Sequence, residues 1–324
     1  MSEARTPAVP DPEVPDPEQR RFTFLVNPVS GGGAGPRVVV AVARALREAG
    51  REAEVHYTAS IDETPDLVAA AVAADAVVVS VGGDGMLSSV AGAVADAGGV
   101  LGLVPAGRGN DFARALGTPS GTAQIAERLL YATPRAVDLL EVRHGGDPDA
   151  RRHIVAGSVY TGVDARIAAL VDRSRWLPSR LQYPLATLVG LATYRPLAAR
   201  VEIDGEVSEH RVATVVVANS PFYGKGMRIA PHADVADGEL DVVIIEAASR
   251  VDLIRSLPKV YDGGHADLAQ VTLRRGRRVR VSGAFVGGAP APVGADGEPL
   301  TPLPADPGAA LEVELMPGAL RVIG

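Results

Sequence analysis

Cysteine is absent from this chain of 324 residues. Its absence excludes disulfide frameworks, zinc sites built on thiolates and cysteine nucleophiles. Histidine is scarce as well, with six residues scattered along the chain. A chain of this length buries enough surface to need no covalent or metal staple, and its length favours two domains. The lack of cysteine fits a reducing compartment, and we expect a cytoplasmic protein.

An excess of positive charge is also lacking, since the formal net charge is −7. Proteins held to nucleic acid by phosphate contacts normally carry a basic balance or a concentrated basic face. We therefore expect no nucleic acid among the partners. Lys225 and Lys259 are the only lysines, so a clamp for phosphate groups would be built from arginine.

Long apolar runs are missing too. No stretch reaches the roughly 18 residues that a bilayer-spanning helix needs, and the longest contender covers residues 184–194. The N-terminal segment lacks the basic and then apolar build of a signal peptide. Residues 1–20 alternate proline with aspartate and glutamate and hold almost nothing apolar to bury. They are predicted to form a disordered acidic tail.

The stretch that organises the chain is the apolar run over residues 77–81, which ends in Gly82, Gly83, Asp84 and Gly85. A short run rich in β-branched residues predicts a buried parallel strand. Open α/β sheets bind ligands at the carboxyl ends of their strands, and glycines there let the backbone approach a phosphate closely. We therefore expect Asp84 to lie where a nucleotide-bound metal lies.

Two further predicted strands, over residues 22–26 and 100–104, also end in glycine loops. The first loop contains Asn27, Pro28, Ser30 and Gly31, and the second contains Gly107, Arg108, Asn110 and Asp111. Repeated alternation of strands and helices implies parallel βαβ units, whose loops converge on one edge of the sheet. Residues 21–135 are thus predicted to form an α/β nucleotide-binding domain with a parallel sheet. Helix N-termini that follow such loops present N–H groups to anions.

After residue 135 the pattern changes to strands separated by turns. The predicted strands cover residues 136–142, 153–159, 200–203, 207–219, 240–246, 271–273, 278–281 and 311–315. Asp204-Gly205 is a strong hairpin signal between two of them. Helical insertions are predicted over residues 162–171, 181–194 and 250–261. Residues 136–324 are expected to form a β-rich, sandwich-like second domain.

Several motifs occur together and in order along the chain. They are Asn27-Pro28-x-Ser30-Gly31, Gly82-Gly83-Asp84-Gly85, Gly107-x-Gly109-Asn110-Asp111-Phe112-Ala113-Arg114, Gly224-x-Gly226-Met227-x-Ile229-Ala230-Pro231, Ala236-Asp237-Gly238-x-Leu240-Asp241 and Asp296-Gly297-Glu298. This ordered set resembles the catalytic-domain family of diacylglycerol and sphingosine kinases, particularly its bacterial lipid kinases. Any single motif is weak, because Gly-Gly-Asp-Gly also occurs in NAD kinases and phosphofructokinases. The resemblance covers nearly everything after residue 20.

The resemblance implies ATP-dependent phosphorylation of a lipid hydroxyl, with diacylglycerol as the expected acceptor and Mg²⁺ as the metal. It implies an α/β domain like that of NAD kinases and diacylglycerol kinases, and a β-rich domain that holds the lipid. Phosphoryl transfer needs mainly positioning, cations along the phosphates and an acceptor for the hydroxyl proton. Asp84 and Asp111 would hold Mg²⁺, which prefers oxygen ligands, and the glycine loops would cradle the phosphates.

By the same resemblance, Glu298 is the candidate general base, and Asp296 is its metal-binding or orienting partner. Taken alone, Asp-Gly-Glu is an ordinary turn between strands. Asp237 is a candidate ligand of a second, structural Mg²⁺, although Asp237-Gly238 reads equally well as a turn.

The chain departs from the family at two positions of these loops. Met86 follows Gly-Gly-Asp-Gly where the family commonly has threonine, and methionine cannot donate a hydroxyl hydrogen bond to a phosphate. Arg108 stands where a small hydroxyl residue is frequent, and its guanidinium could supply phosphate contacts instead. Met86 leaves open an inactive homologue that binds nucleotide or lipid. A kinase for another lipid alcohol, such as a sphingoid base or phosphatidylglycerol, is the other alternative.

Two further expectations concern partners. A lipid kinase must meet its substrate at a bilayer, so peripheral membrane contact is expected. Trp176, flanked by arginines, is one candidate for that contact, although a lone tryptophan more often packs in a core. Edge strands of the second domain could pair between subunits, which would give a homodimer.

Overall fold

The computed structural model describes residues 16–28, 33–58, 61–145, 152–174, 177 and 179–324. In its first part, strands and helices alternate as predicted. They are β1 (Arg21–Val26), α1 (Ala34–Glu48), β2 (Ala53–Tyr57), α2 (Thr64–Ala73), β3 (Ala76–Gly82), α3 (Asp84–Asp96), β4 (Val100–Pro105), α4 (Asp111–Ala115) and α5 (Thr122–Tyr131). The predicted tail lies outside the described residues over positions 1–15.

The second part is mainly β-structure with three longer helices. Its elements are β5 (Arg135–His144), β6 (His153–Val155), β7 (Ser158–Gly162), α6 (Val163–Arg173), α7 (Ser179–Ala192), β8 (Leu197–Ile203), β9 (Glu206–Ala218), β10 (Leu240–Glu246), α8 (Arg250–Asp262), β11 (Val271–Gly276), β12 (Arg278–Phe285), β13 (Ala291–Ala295), β14 (Glu298–Leu303) and β15 (Leu311–Ile323). Among the described residues, no helix has both the length and the apolarity that crossing a bilayer requires.

The central strand β3 is buried along its whole length. It pairs in parallel with β1 on one side and β4 on the other, and β2 extends the sheet beyond β1. Helices cover both faces, which is why β3 reads as a continuous apolar run rather than an alternating one. The expected parallel α/β sheet is confirmed, and its loops open on one edge.

The second part forms an antiparallel, curled sheet in the order β14, β13, β7, β9, β8, β12, β15, with β10 and β11 beyond β9. One apolar core fills the space between its facing strands, with members that include Leu140, Val201, Val217, Val281 and Val313. The expected β-rich, sandwich-like architecture is confirmed. Asp204 and Gly205 form the two-residue turn of the β8–β9 hairpin, because Ile203 pairs with Glu206.

Three details differ from the sequence prediction. The single strand expected over residues 153–159 is interrupted at Ala156-Gly157, which separates β6 from β7. Strands β13 and β14, on either side of Asp296-Gly297, were not predicted. Strand β15 continues well past residue 315, because a bulge between Met316 and Leu320 carries the chain past Pro317 and Gly318 without ending the pairing.

Strand β15 connects the two parts of the chain. Its last residues pair in parallel with β4, so that the C-terminus completes the parallel sheet, while most of the strand pairs antiparallel with β5. Asp138 on β5 stabilises the bulge of β15 and the turn before β10. Its carboxylate accepts the N–H of Gly318 at 2.7 Å and the N–H of Gly238 at 2.9 Å, and the residue is 2% exposed.

Replacing Asp138 with asparagine should lower the free energy of unfolding by about 1–3 kcal/mol. An amide has one acceptor oxygen, so one of the two glycine N–H groups would face a donor. Urea denaturation measures the change. Asp75→Asn is the matched control, because Asp75 is exposed at φ 54° and asparagine tolerates that conformation. Equal midpoints for the two variants would contradict the role assigned to Asp138.

Candidate active site

Two of the glycine loops touch at the carboxyl edge of the parallel sheet. A Cβ atom on Gly107 would lie 2.3 Å from the Cα of Gly83, so only glycine fits there. Asn110 fixes the second loop, since its Oδ1 accepts the N–H of Gly107 at 2.9 Å and its Nδ2 donates to the Gly107 carbonyl at 3.1 Å. The backbone of Asn110 is left-handed, with φ 55°. The loops therefore form one preformed surface.

Asp84 and Asp111 are the first residues of α3 and α4, and their carboxylates converge. A Cβ atom on Gly109 would lie 2.9 Å from Asp84 Oδ2 and 3.3 Å from Asp111 Oδ2. Asp84 Oδ1 accepts the N–H of Phe112 at 3.3 Å. Asp111 Oδ2 accepts the N–H of Lys225 at 2.8 Å, which joins the site to the second part of the chain.

The electrostatics of this pair disfavour two negative charges. Burial, together with the charges of Asp111 and Asp296, raises the pKa of Asp84 to about 7. Burial also raises the pKa of Asp111, opposed by N–H donors and by Arg114. Asp111 Oδ1 is buried without a hydrogen-bond partner, with Arg114 Nε at 3.9 Å. An unpaired carboxylate oxygen beside a second carboxylate fits the preference of Mg²⁺ for oxygen ligands.

Asp296 lies in the two-residue turn between β13 and β14, and its carboxylate is fully engaged. Oδ2 accepts the N–H groups of Ala156 and Gly157, both at 2.9 Å, and Oδ1 accepts that of Ser158 at 2.8 Å. The hydroxyl of Ser88 donates to Oδ2 as well. The three N–H donors lie at the interruption between β6 and β7. Burial raises the pKa of Asp296, and these hydrogen bonds oppose that rise. Asp296 thus fixes the turn to α3, which is a positioning role.

Glu298, the first residue of β14, faces the N-terminus of α3. A Cβ atom on Gly85 would lie 2.7 Å from Glu298 Oε1, so the glycine at position 85 makes room for this carboxylate. Glu298 is exposed, in contrast to Asp296. The Asp-Gly-Glu stretch is therefore both the turn that its sequence predicts and a part of the site.

A cavity of about 260 Å³ opens beside Asp84 and Asp111. Asp84, Arg108, Asp111, Lys225 and Asp296 contribute to its wall. Burial, and the nearby charge of Arg108, lower the pKa of Lys225. These two basic residues of the wall belong to the loops after β4 and before β10. Glu298 does not line this cavity; this residue lines a separate cleft of about 710 Å³ together with Gly85 and Asp296.

A second, mainly apolar cavity of about 80 Å³ adjoins the first. Asp164, Tyr223 and Met227 line both. Asp164 accepts hydrogen bonds from the hydroxyls of Thr214 and Tyr223, each at 2.8 Å, and burial raises its pKa. The sequence analysis missed Asp164. The signal was present, because Asp164 follows a strand and Gly162 as Asp84 follows β3 and its glycines.

The remaining predicted residues are placed as follows. Asn27 donates its N–H to the Val81 carbonyl at 3.2 Å, next to the loop after β3, and Pro28 is exposed. Ser30 and Gly31 lie outside the described residues, as does Trp176. Met86 is partly buried and packs against the apolar core under α3, which accounts for an apolar residue at that position.

Asp237 does not line the cavity of Asp84. Its Oδ2 lies 3.2 Å from Arg275, whose guanidinium also contacts Glu239 at 3.0 Å and Asp241 at 3.5 Å. Arg275 therefore offsets part of the negative charge of these three carboxylates. The second metal site at Asp237 stays a prediction.

Comparisons with known proteins agree with this geometry. Residues 21–142 match the family model described as diacylglycerol kinase catalytic domain, and residues 157–324 match that described as YegS C-terminal NAD kinase beta sandwich-like domain. The chain is 33% identical over 309 residues to a Mycobacterium tuberculosis protein named diacylglycerol kinase, with 94% of each chain covered. It is 32% identical over 299 residues to a Pseudomonas aeruginosa protein named probable lipid kinase YegS-like, with 90% of this chain and 91% of the other covered.

A solved structure shares the fold. The chain superposes on a diacylglycerol kinase from Bacillus anthracis str. Sterne with a TM-score of 0.67 at 17% identity, covering 94% of this chain and 96% of that one.

The raised pKa of Asp84 predicts a pH-dependent stability in metal-free buffer. Because the folded-state value of about 7 lies above the ordinary 3.8, the native protein binds the extra proton between them, and stability falls as pH rises through that window. Asp84→Asn removes this loss. The variant should be more stable than the wild type at pH 8, by at most about 4 kcal/mol, and equal to it near pH 4.

Urea denaturation across that pH range measures the difference. Asp66→Asn, at an exposed position of α2, controls for the loss of a surface charge. A stability difference between Asp84→Asn and the wild type that stayed constant with pH would rule out burial of the Asp84 charge as its cause.

Proposed function

The chain belongs to the family of diacylglycerol kinases and YegS-like lipid kinases, and from this premise we propose that it transfers the γ-phosphate of ATP to the hydroxyl of diacylglycerol. Kinase chemistry and ATP use follow from the family. The observation that carries the finer proposal is the buried pair of Asp84 and Asp111 at the mouth of a cavity that continues into an apolar one. A phosphate site thereby adjoins a place for hydrocarbon.

Asp84 and Asp111 are proposed to hold Mg²⁺, Asp111 through the oxygen that has no hydrogen-bond partner. The ion, when bound, would neutralise charge on the phosphates as they are transferred. The raised pKa values of both carboxylates support this, since each would gain a compensating charge. Asp237 is retained as a candidate ligand of a second Mg²⁺, in competition with Arg275.

The nucleotide phosphates are proposed to lie on the glycine loops after β1, β3 and β4. The touching loops at Gly83 and Gly107 lie next to the start of α3, where helix N–H groups favour an anion. Arg108 and Lys225 line the same cavity and supply positive charge. Their side chains replace the hydroxyl that Met86 does not offer.

Glu298 is proposed as the general base. It is the exposed carboxylate of the Asp296 turn, and Gly85 leaves it room beside the loop of Asp84. The base would accept the proton of the lipid hydroxyl as the new O–P bond forms, while ADP leaves with the bond to the γ-phosphate broken. Asp296 would act by holding the turn in place.

The apolar cavity is proposed to take part of the acceptor's hydrocarbon. Asp164 supports a second candidate substrate class. A buried carboxylate that lines both cavities could accept hydrogen bonds from a second hydroxyl or pair with an ammonium group, as in a glycerol headgroup or a sphingoid base. The inactive alternative is disfavoured because a protein that only binds its ligands has no need of Glu298.

The cellular setting is proposed from the chemistry of the substrate. The protein would work in the cytoplasm and contact the membrane peripherally to reach its lipid. A homodimer through edge strands remains a proposal with no described contact to support it.

The acceptor is identified by transfer of labelled γ-phosphate from ATP with Mg²⁺ to diacylglycerol, monoacylglycerol, sphingosine, phosphatidylglycerol and NAD. We expect the label in phosphatidic acid. Glu298→Gln should lower kcat by about 10²- to 10⁴-fold, as expected for loss of a general base, while ATP binding is retained. Glu127→Gln, at an exposed position of α5, is the control.

Label in another lipid alone would keep the mechanism and change the substrate. A wild type that labels no acceptor while still binding ATP would favour the inactive homologue. Full activity in Glu298→Gln would remove Glu298 from the proposed mechanism.

Arg108→Ala should weaken ATP binding by roughly 10- to 100-fold, the usual effect of losing a hydrogen bond to a charged group. Isothermal titration with ATP and Mg²⁺ measures the affinity. Arg44→Ala, which removes an exposed arginine of α1 that pairs with Glu48, serves as the control. ATP affinity unchanged in Arg108→Ala would show that the loops hold the phosphates without this side chain.

A further inference from the structure

Helices α7 and α8 each expose an apolar stripe to solvent. On α7 the stripe consists of Leu181, Leu185, Leu188 and Val189, which are 41% to 61% exposed. On α8 it consists of Val251, Ile254, Leu257 and Tyr261, which are 36% to 53% exposed. Spacings of three and four residues place each set on one side of its helix.

The two helices also form part of the wall of the apolar cavity. Thr187 and Leu191 of α7 and Leu253 and Ser256 of α8 line it, and the helices contact each other. Their inner faces therefore enclose the proposed lipid cavity, while their outer faces carry the exposed stripes. Other exposed large apolar residues in the described part of the chain are scattered singly over several elements, for example Val40 on α1 and Val286 after β12.

Basic residues flank the stripe on α8. Arg250, Arg255 and Lys259 are exposed there, against Asp252 and Asp262, so this helix carries a net positive charge on a chain whose formal charge is −7. An apolar stripe beside basic side chains is the pattern of helices that lie in the interface of an anionic membrane.

We propose that the outer face of α7 and α8 docks on a bilayer surface that contains anionic phospholipid, so that the acceptor lipid passes between these helices into the apolar cavity. We call this surface the docking face and define it by Leu181, Leu185, Leu188, Val251, Ile254 and Tyr261. The inference rests on the proposed function in that the substrate is a membrane lipid.

A second copy of the chain fits the docking face less well than a membrane does. A symmetric dimer places the same surface of both subunits together. The basic residues of α8 from both copies would then meet at one interface, where like charges repel. Anionic headgroups supply the complementary charge, and the acyl region receives the apolar stripes. The same helices line the apolar cavity, so a membrane bound here would lie next to the proposed lipid site.

Sedimentation with vesicles tests the docking face. The wild type should bind vesicles of phosphatidylcholine mixed with phosphatidylglycerol more tightly than vesicles of phosphatidylcholine alone. The double variant Leu188→Gln/Ile254→Gln should bind the mixed vesicles at least about tenfold more weakly, because it loses apolar contact without a change in charge. Neither residue lines the cavity. The control variant Val40→Gln/Val286→Gln removes exposed apolar side chains elsewhere and should bind as the wild type does.

Three readouts keep the outcomes distinct. Thermal denaturation should show the double variant folded like the wild type, and phosphorylation of a water-soluble, short-chain diacylglycerol should be unchanged. Equal vesicle binding by the wild type and the double variant would overturn the proposal. So would light scattering that shows a wild-type dimer and a monomeric double variant with vesicle binding unaffected, since the face would then be a subunit interface.

Failure of the proposed function would look different. Vesicle binding requires no phosphoryl transfer, so loss of binding in the double variant supports the docking face even if diacylglycerol accepts no label.

Discussion

The burial of two neighbouring carboxylates, Asp84 and Asp111, is the constraint on which the site depends. Each begins a helix at the edge of the parallel sheet, and each has its pKa raised by burial. Burial and mutual repulsion disfavour the charged form of Asp84 in particular. Glycines at positions 107 and 109 let the loops approach, because a Cβ atom there would lie 2.3 Å from the Cα of Gly83 or 2.9 Å from Asp84 Oδ2. These glycines therefore bring together the two carboxylates that we propose as metal ligands.

A third carboxylate, that of Asp296, is engaged in hydrogen bonds and has a structural role. Asp296 is satisfied by backbone N–H groups from the break between β6 and β7 and by Ser88. It connects the β-rich part of the chain to α3, and it holds Glu298 opposite Gly85. Lys225, whose N–H reaches Asp111, adds a second link between the parts. The candidate site is thus assembled across both parts, with Asp84 and Asp111 proposed as metal ligands and Asp296 holding its turn against α3.

The helices that cover the second sheet line the cavity proposed for the lipid. Asp164 stands at the junction between the polar cavity and the apolar one, so a single acceptor could place its hydroxyl near the phosphates and its hydrocarbon between α7 and α8. The same two helices carry apolar side chains inward and outward. The proposed route of the lipid, from the exposed face to the reacting groups, therefore uses one pair of helices.

The sequence by itself determined the α/β alternation and the glycine loops that follow its strands, because periodicity and turn chemistry depend on neighbouring residues. The acids at positions 296 and 298 stood out only through the ordered motifs that resemble a known family. Only the tertiary structure decided what depends on distant contacts. It separated Asp296, held by backbone donors, from the exposed Glu298, and it paired Asp237 with Arg275. It brought the C-terminal strand beside β4 and Asp164 to the cavity wall. Burial and hydrogen-bond partners arise when segments far apart in the chain pack together, so no local pattern records them.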